Sequence, residues 1–248
     1  MDSANLEYMT TSVIISRFNE NLDWIKKINS EFEIVVYNKG DKIEIDKKYK
    51  LIEIKNVGRE SHTWLYHISE NYENISENNI FLQGRIDDLG CMAYKDVSRY
   101  LKNLNKNGFN ASRLGLLSPF HWKDNLSIDK DLRYKDAWHQ NHISKNYLGF
   151  RKYAKKFFPK IPIFLPTSYG GCFAVTRDAI HKHSKDFYSE MLFTLNKHYH
   201  PIEAHFLERL WCYMFSQNRY LPKAFFDVIR TKIERNILKK FSELIYRK

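Results

Sequence analysis

Short apolar runs alternate with helical spacing through the first half of the chain. Ser12-Val13-Ile14-Ile15-Ser16 reads as a buried strand, and Arg17-Phe18-Asn19-Glu20 as the loop after it. Leu22, Trp24, Ile25 and Ile28 then keep helical spacing. Glu33–Tyr37 predicts a second strand, stopped by Asn38-Lys39-Gly40, and Leu51–Ile54 a short third. From about Ser61, Trp64, Leu65, Ile68 and Tyr72 mark one helical face. Ile80-Phe81-Leu82 predicts a fourth strand, and Ala93–Leu104 a further helix. This β-α-β-β-α-β-α order predicts an α/β fold, a mostly parallel twisted sheet flanked by helices. Ligands then sit beyond the carboxyl ends of the strands. Arg17, Asn19, Glu20 and the stretch from Gln83 to Asp88 fall there, and the loop at Asn56 opens on the same side.

The second half is less regular. Residues 118 to 165 are aromatic, basic and without clear period, with a basic helix expected over Tyr147–Phe158 and breaks at Pro159, Pro162 and Pro166. Gly170-Gly171 leads into a strand ending at Val175, and Thr176 is a candidate N-cap for the helix after it. Residues 201 to 217 predict another helix with Pro201 near its first turn. Ala224–Tyr246 is amphipathic and basic. The expected organisation is one domain over residues 1–220 and a basic amphipathic helical extension over 221–248.

Composition narrows the partners only a little. The chain has 248 residues, 43% of them hydrophobic, enough for one large core. A formal charge of +11 suggests anionic partners, whether nucleotide diphosphates, nucleic acid or anionic lipid headgroups, and does not choose among them. Three cysteines at wide spacing, with no Cys-x-x-Cys, read as reduced buried thiols of a cytoplasmic protein. The paired histidines His181/His183 and His198/His200 read as surface residues.

Val13-Ile14-Ile15-Ser16-Arg17-Phe18-Asn19-Glu20 looks like the opening strand and loop of GT-A glycosyltransferases. Together with Tyr37-Asn38-Lys39-Gly40, Asn56-Val57-Gly58-Arg59-Glu60-Ser61-His62-Thr63, Phe81-Leu82-Gln83-Gly84 and the segment from Glu203 to Trp211, it resembles an uncharacterised glycosyltransferase-like family related to that fold. The likeness covers residues 12 to 90 and 168 to 216. It implies a GT-A-like domain that binds a nucleotide-sugar, with Arg17, Asn19, Glu20, Asn56, Gly58, Arg59, Glu60, His62, Gln83 and Arg85 around the donor.

In GT-A enzymes a strand ends in Asp-x-Asp, which holds Mg2+ or Mn2+ on the donor diphosphate. Here that position reads Gln83-Gly84-Arg85. Two alternatives stay open: Asp87 or Asp88 ligates the metal, or Arg85 neutralises the diphosphate itself. The plainer reading is that Asp87 and Asp88 cap the next helix. Gly58 and Arg59 stand before a predicted helix, whose free N–H groups attract phosphate. The plainer reading there is a capping segment with Arg59 in solvent. Glu203, His205 and Glu208 lie on one predicted helix, and transfer with inversion needs a carboxylate to take the acceptor hydroxyl proton. Glu203 is preferred over Glu208, because Glu208 can pair with Arg209 or Arg85. Gly170, Gly171 and Trp211 are assigned to the acceptor side.

The reading is therefore a transferase that moves a sugar from a nucleotide-sugar, UDP-linked, to a glycan or lipid-linked acceptor in surface-polysaccharide synthesis. The basic C-terminal helix would rest on an anionic membrane surface at the inner face. No nucleic acid is expected as a partner. The rivals are a catalytically silent module of the same fold that binds nucleotide or glycan, and a basic nucleic-acid-binding protein.

Overall fold

β1 (Thr11–Arg17) is buried along its whole length, and it forms the centre of a six-stranded sheet. The computed structural model describes residues 10–86, 96–102, 104–117, 149–162, 165–168 and 170–216. They fall within one compact unit, Met1–Gln217. On one side of β1 lie β2 (Glu33–Asn38) and then β3 (Lys50–Glu53); on the other lies β4 (Asn78–Gln83). These four strands run parallel. Then come β8 (Phe173–Thr176), antiparallel to β4, and β5 (Phe109–Ala111) at the edge. The sheet is thus mixed: parallel over β3-β2-β1-β4, with β8 alone reversed.

Alternate residues of each strand feed two cores, because side chains alternate faces with period two. Ile14, Val35, Tyr37, Phe81, Phe173 and Val175 face one layer of helices. These are α1 (Arg59–Asn71), α3 (Phe150–Phe157), α5 (Lys185–Leu195) and α6 (Ile202–Phe215). Val13, Ile15, Ile34, Val36, Ile80 and Leu82 face the other layer with Leu22, Ile25, Val97 and Tyr100. Trp64, Phe81, Phe173 and Trp211 pack ring against ring at 5.2, 5.0 and 5.4 Å along the first core. Truncating one of these aromatics to alanine costs about 3–5 kcal/mol.

The helices differ from expectation in instructive places. The segment after β1 makes only a 3-10 turn, Asp23–Lys27. The single helix expected after Thr176 is two. Thr176 Oγ1 does accept from Ala179 N at 3.2 Å, capping the short α4 (Arg177–Ile180). The chain then restarts at Ser184, whose side chain caps α5. Of the helix expected over Ala93–Leu104, residues 93–95 and 103 lie outside the described ones; residues 97–101 form a 3-10 turn, and α2 (Leu104–Asn107) is one turn long. A two-stranded sheet of β6 (Leu114–Leu117) and β7 (Leu165–Ser168) was not anticipated. The basic extension over 221–248 lies outside the described residues. No helix among the described residues is long and apolar enough to cross a membrane. Cys172 is disulfide-bonded, which corrects the expectation of three reduced thiols and removes that argument for a reducing compartment. Cys212 is free and buried, and burial pushes its thiol up to about 11.

Candidate functional site

The chain leaves β1 towards β2 and β3, then returns across to β4, so the strand order switches direction between β1 and β4. Such a switch point opens a crevice at the carboxyl ends of the strands. Gln83 pairs with Ser16 at that end, and Ser16 Oγ meets Thr63 Oγ1 of α1 at 2.9 Å. The start of α1 is thereby tied to the crevice.

That start is strained. Gly58 (φ 63) and Arg59 (φ 53) are successive left-handed residues. A side chain at Gly58 would also meet the Cβ atoms of His62 and Leu195 at 2.6 and 2.8 Å. A non-glycine residue in this conformation costs about 1–3 kcal/mol and persists only where its surroundings hold it. Here they do. His198 O and Tyr199 O accept from Gly58 N and Arg59 N at 2.8 and 3.1 Å. From below, Lys39 Nζ donates to Val57 O at 2.7 Å and to Arg59 O. Burial pulls the Lys39 amine down to about 7, with the Glu60 carboxylate acting against it.

The result aims Arg59 at a pair of imidazoles. Its Nη1 lies 2.8 Å from His200 Nε2 and 3.2 Å from His205 Nε2, and the two imidazole nitrogens are 3.0 Å apart. His205 Nδ1 faces Glu208 Oε2 at 3.7 Å, a charge contact longer than a hydrogen bond. Glu208 Oε1 accepts from Gly170 N. Burial would raise the Glu208 carboxyl. The His205 N–H, the Arg209 guanidinium and the Gly170 N–H outweigh burial and hold it at about 2. Burial lowers His205 from its ordinary value; Glu208 opposes that and Arg59 adds to it.

The polar ring closes through Glu60 and β4. Arg59 Nε is 3.4 Å from Glu60 Oε2. Gly171 (φ 66) sits so close that a Cβ there would be 3.0 Å from Glu60 Oε1 and 3.3 Å from Gln83 Nε2. Contacts therefore join Glu60, Arg59, His200, His205, Glu208 and Gly170, with Gly171 and Gln83 alongside Glu60.

Other candidates are placed elsewhere. Arg17 is buried, and its guanidinium donates to Glu20 O, Phe18 O and Asp41 O at 3.0 Å and to Asn38 Oδ1 at 2.6 Å. Asn19 Oδ1 accepts from Asp41 N at 2.8 Å. Both brace loops. Glu20 Oε2 accepts from Phe18 N at 2.7 Å and stands against Gly84 at the end of β4. Arg17 and Glu20 also line a cavity of about 720 Å³ with Lys26, Glu44, Lys48 and Tyr49. Asn56 and Arg85 are exposed. His62 is buried and stacked on Tyr66, its Nδ1 has no hydrogen-bond partner, and burial followed by Lys39 holds it at about 4.

Glu203 and Glu208 are five residues apart, about 140° around a helix. Burial raises the Tyr153 phenol and the Glu203 charge adds to it, which places Glu203 near Tyr153 of α3. Trp211, assigned to the acceptor side, is fully buried between Phe173 and Phe215, where no ligand reaches it. His200 was missed. It is half-buried against Arg59 and His205 rather than on the surface, and the His-x-His pair just before Pro201 was its only signal. Asp87 and Asp88 lie outside the described residues. Among the described residues, no three His, Cys, Asp or Glu side chains stand where they could hold a metal ion.

A family profile described as "Protein of unknown function (DUF3431)" matches residues 13–226. The chain belongs to this family. The match spans both the β1–β4 switch point and α6, so the whole polar ring lies inside the family's domain. Neither curated proteins nor solved structures yield a match to the chain.

Proposed function

We propose that the chain is a glycosyltransferase that moves a sugar from a nucleotide-sugar to a glycan or lipid-linked hydroxyl. The observation that carries this reading is the convergence at one switch point of a strained helix start bearing Arg59 with the Glu208–His205 pair of α6. Arg59 and the first turn of α1 suit the diphosphate, since guanidinium and helix N–H groups both favour phosphate oxygens. The cavity beside Arg17 and Glu20 has the volume of a small-molecule site and suits the nucleoside. The α6 pair supplies the group that takes the acceptor proton, and Glu208 replaces Glu203 as the carboxylate of choice because it meets His205 and Gly170 N within the ring.

A second reading is a module of this shape that binds nucleotide without turnover, favoured by Gln83-Gly84-Arg85 standing where metal-dependent GT-A enzymes carry Asp-x-Asp. The test is release of nucleoside diphosphate from a panel of nucleotide-sugars with saccharide and lipid-linked acceptors. Acceptor-dependent release by the unaltered chain, lost in Glu208→Gln, supports the transferase. Tight nucleotide binding with no release from any donor selects the silent module.

A further inference from the structure

His200 is the outer member of a chain that Glu208 begins. Glu208 is held by Gly170 N and by His205; its side chain is 19% exposed and that of His205 only 6%. His200 is half-buried, sits 3.0 Å from His205 through the two Nε2 atoms, and follows the 55% exposed Tyr199. Of the two imidazoles, His200 is therefore the one that solvent and an acceptor can reach.

Two imidazole nitrogens at this distance share one proton rather than carrying two. Arg59 from α1 stands within 3.2 Å of both and opposes a second positive charge. Arg209 on α6 adds to that opposition at His205, while Glu208 favours the charge. His198 Nδ1 accepts from His200 N at 3.0 Å and fixes the backbone beneath the ring. Glu60 bears on the cluster through Arg59. A carboxylate at one end and a guanidinium at the side thus leave room for one mobile proton.

We propose that His200 and His205 act as a single proton-holding unit and that the acceptor hydroxyl proton enters it at His200. This rests on the transferase reading. The hydroxyl oxygen bonds to the anomeric carbon of the donor. The bond from that carbon to the diphosphate oxygen breaks, and its electron pair leaves with the diphosphate. The hydroxyl proton passes to the imidazole pair, where Glu208 balances the charge. A general base of this kind contributes about 10²–10⁴-fold to rate.

The experiment has two arms on the full chain. Histidine side-chain 15N NMR across pH 4 to 9 reads the pair without any substrate. The expected result is coupled titration: one proton is taken up by both rings, and His200→Gln moves the titration of His205. Independent titration of the two rings overturns the unit whatever the activity. In the second arm, His200→Gln lowers kcat by about 10²-fold or more, flattens its pH profile and leaves nucleotide affinity within about twofold. Retained kcat with an unchanged pH profile overturns the catalytic role. Coupled titration in a chain that transfers no sugar overturns the proton entry and the transferase reading, while the shared-proton geometry stands.

Discussion

The carboxyl edge of the sheet has two polar corners, and they are built on opposite principles. At the β1–β3 corner, Arg17 donates to three carbonyls and to Asn38, and Asn38 Nδ2 donates to Glu53 at 2.9 and 3.1 Å. Charges there face opposite charges or dipoles, the signature of a brace. At the β4–α1–α6 corner, a guanidinium and two imidazoles crowd within 3.2 Å of one another on a strained backbone. Carboxylates stand here too, Glu60 beside Arg59 and Glu208 beside His205, but two adjoining imidazoles give this corner titratable groups that the brace lacks. Polar residues at strand ends are thus not equivalent, and titratable rings on a strained backbone set this corner apart.

The sharpest way to separate the corners is Glu208→Gln, which keeps the shape but removes the charge. Transfer should fall by about 10³-fold while the folded state persists, as read by diphosphate release and far-UV circular dichroism. Equal activity would move the chemistry elsewhere. Arg17→Met attacks the other corner. It strands Asn38 Oδ1 and three carbonyls, and should cost about 3 kcal/mol in urea unfolding. A loss under about 1 kcal/mol would show that the brace is not one.

Acid provides a probe, smaller for each group, that ignores the corners' surfaces and reads what lies beneath them. His62 on α1 is held at about 4, mainly by burial, and His67 on the same helix, bonded to Tyr37 at 2.9 Å, at about 3 for the same reason. Unfolded, both titrate near 6.5. Above that pH neither state binds a proton and they cost nothing. As pH falls below 6.5 the unfolded chain takes up protons that the folded chain refuses, so stability drops. The drop levels off near pH 4 for His62 and pH 3 for His67. Urea unfolding should show a loss of about 2 kcal/mol for each ring, about 4 kcal/mol together, between pH 7 and pH 5. His62→Gln should reduce it, and a flat profile would show that neither ring is shielded from protons. Smallest of all, Glu203→Gln should change stability by less than about 0.5 kcal/mol and leave transfer intact. A large loss of transfer would return the base to Glu203.

How much of this the sequence reveals depends on the range of the interaction. β1, β2, β4 and α6 are legible because local patterns specify them: apolar runs for strands covered on both faces, and three-to-four spacing for the helix. β5 spans only Phe109–Ala111, too short for a period to register. β7 contains Pro166, which reads as a break. Its pairing with β6 is one-sided, and an edge strand tolerates proline. The site divides the same way. Arg59, His205 and Glu208 were singled out from motifs. His200 was not, because its value comes from contact with a residue 141 positions away. Trp211 was misassigned for the converse reason: helical spacing does not say which face meets the core.

The most direct test of a nucleotide-sugar site at the β4–α1–α6 corner is thermal stability with nucleoside diphosphates and nucleotide-sugars, with and without Mn2+, on the unaltered chain, Arg59→Gln and Glu203→Gln. Ligand that binds only the folded chain raises Tm by mass action. The expected result is a rise with one class of nucleotide that is lost in Arg59→Gln and kept in Glu203→Gln. No rise with any nucleotide at millimolar concentration, or an equal rise in all three chains, would contradict it.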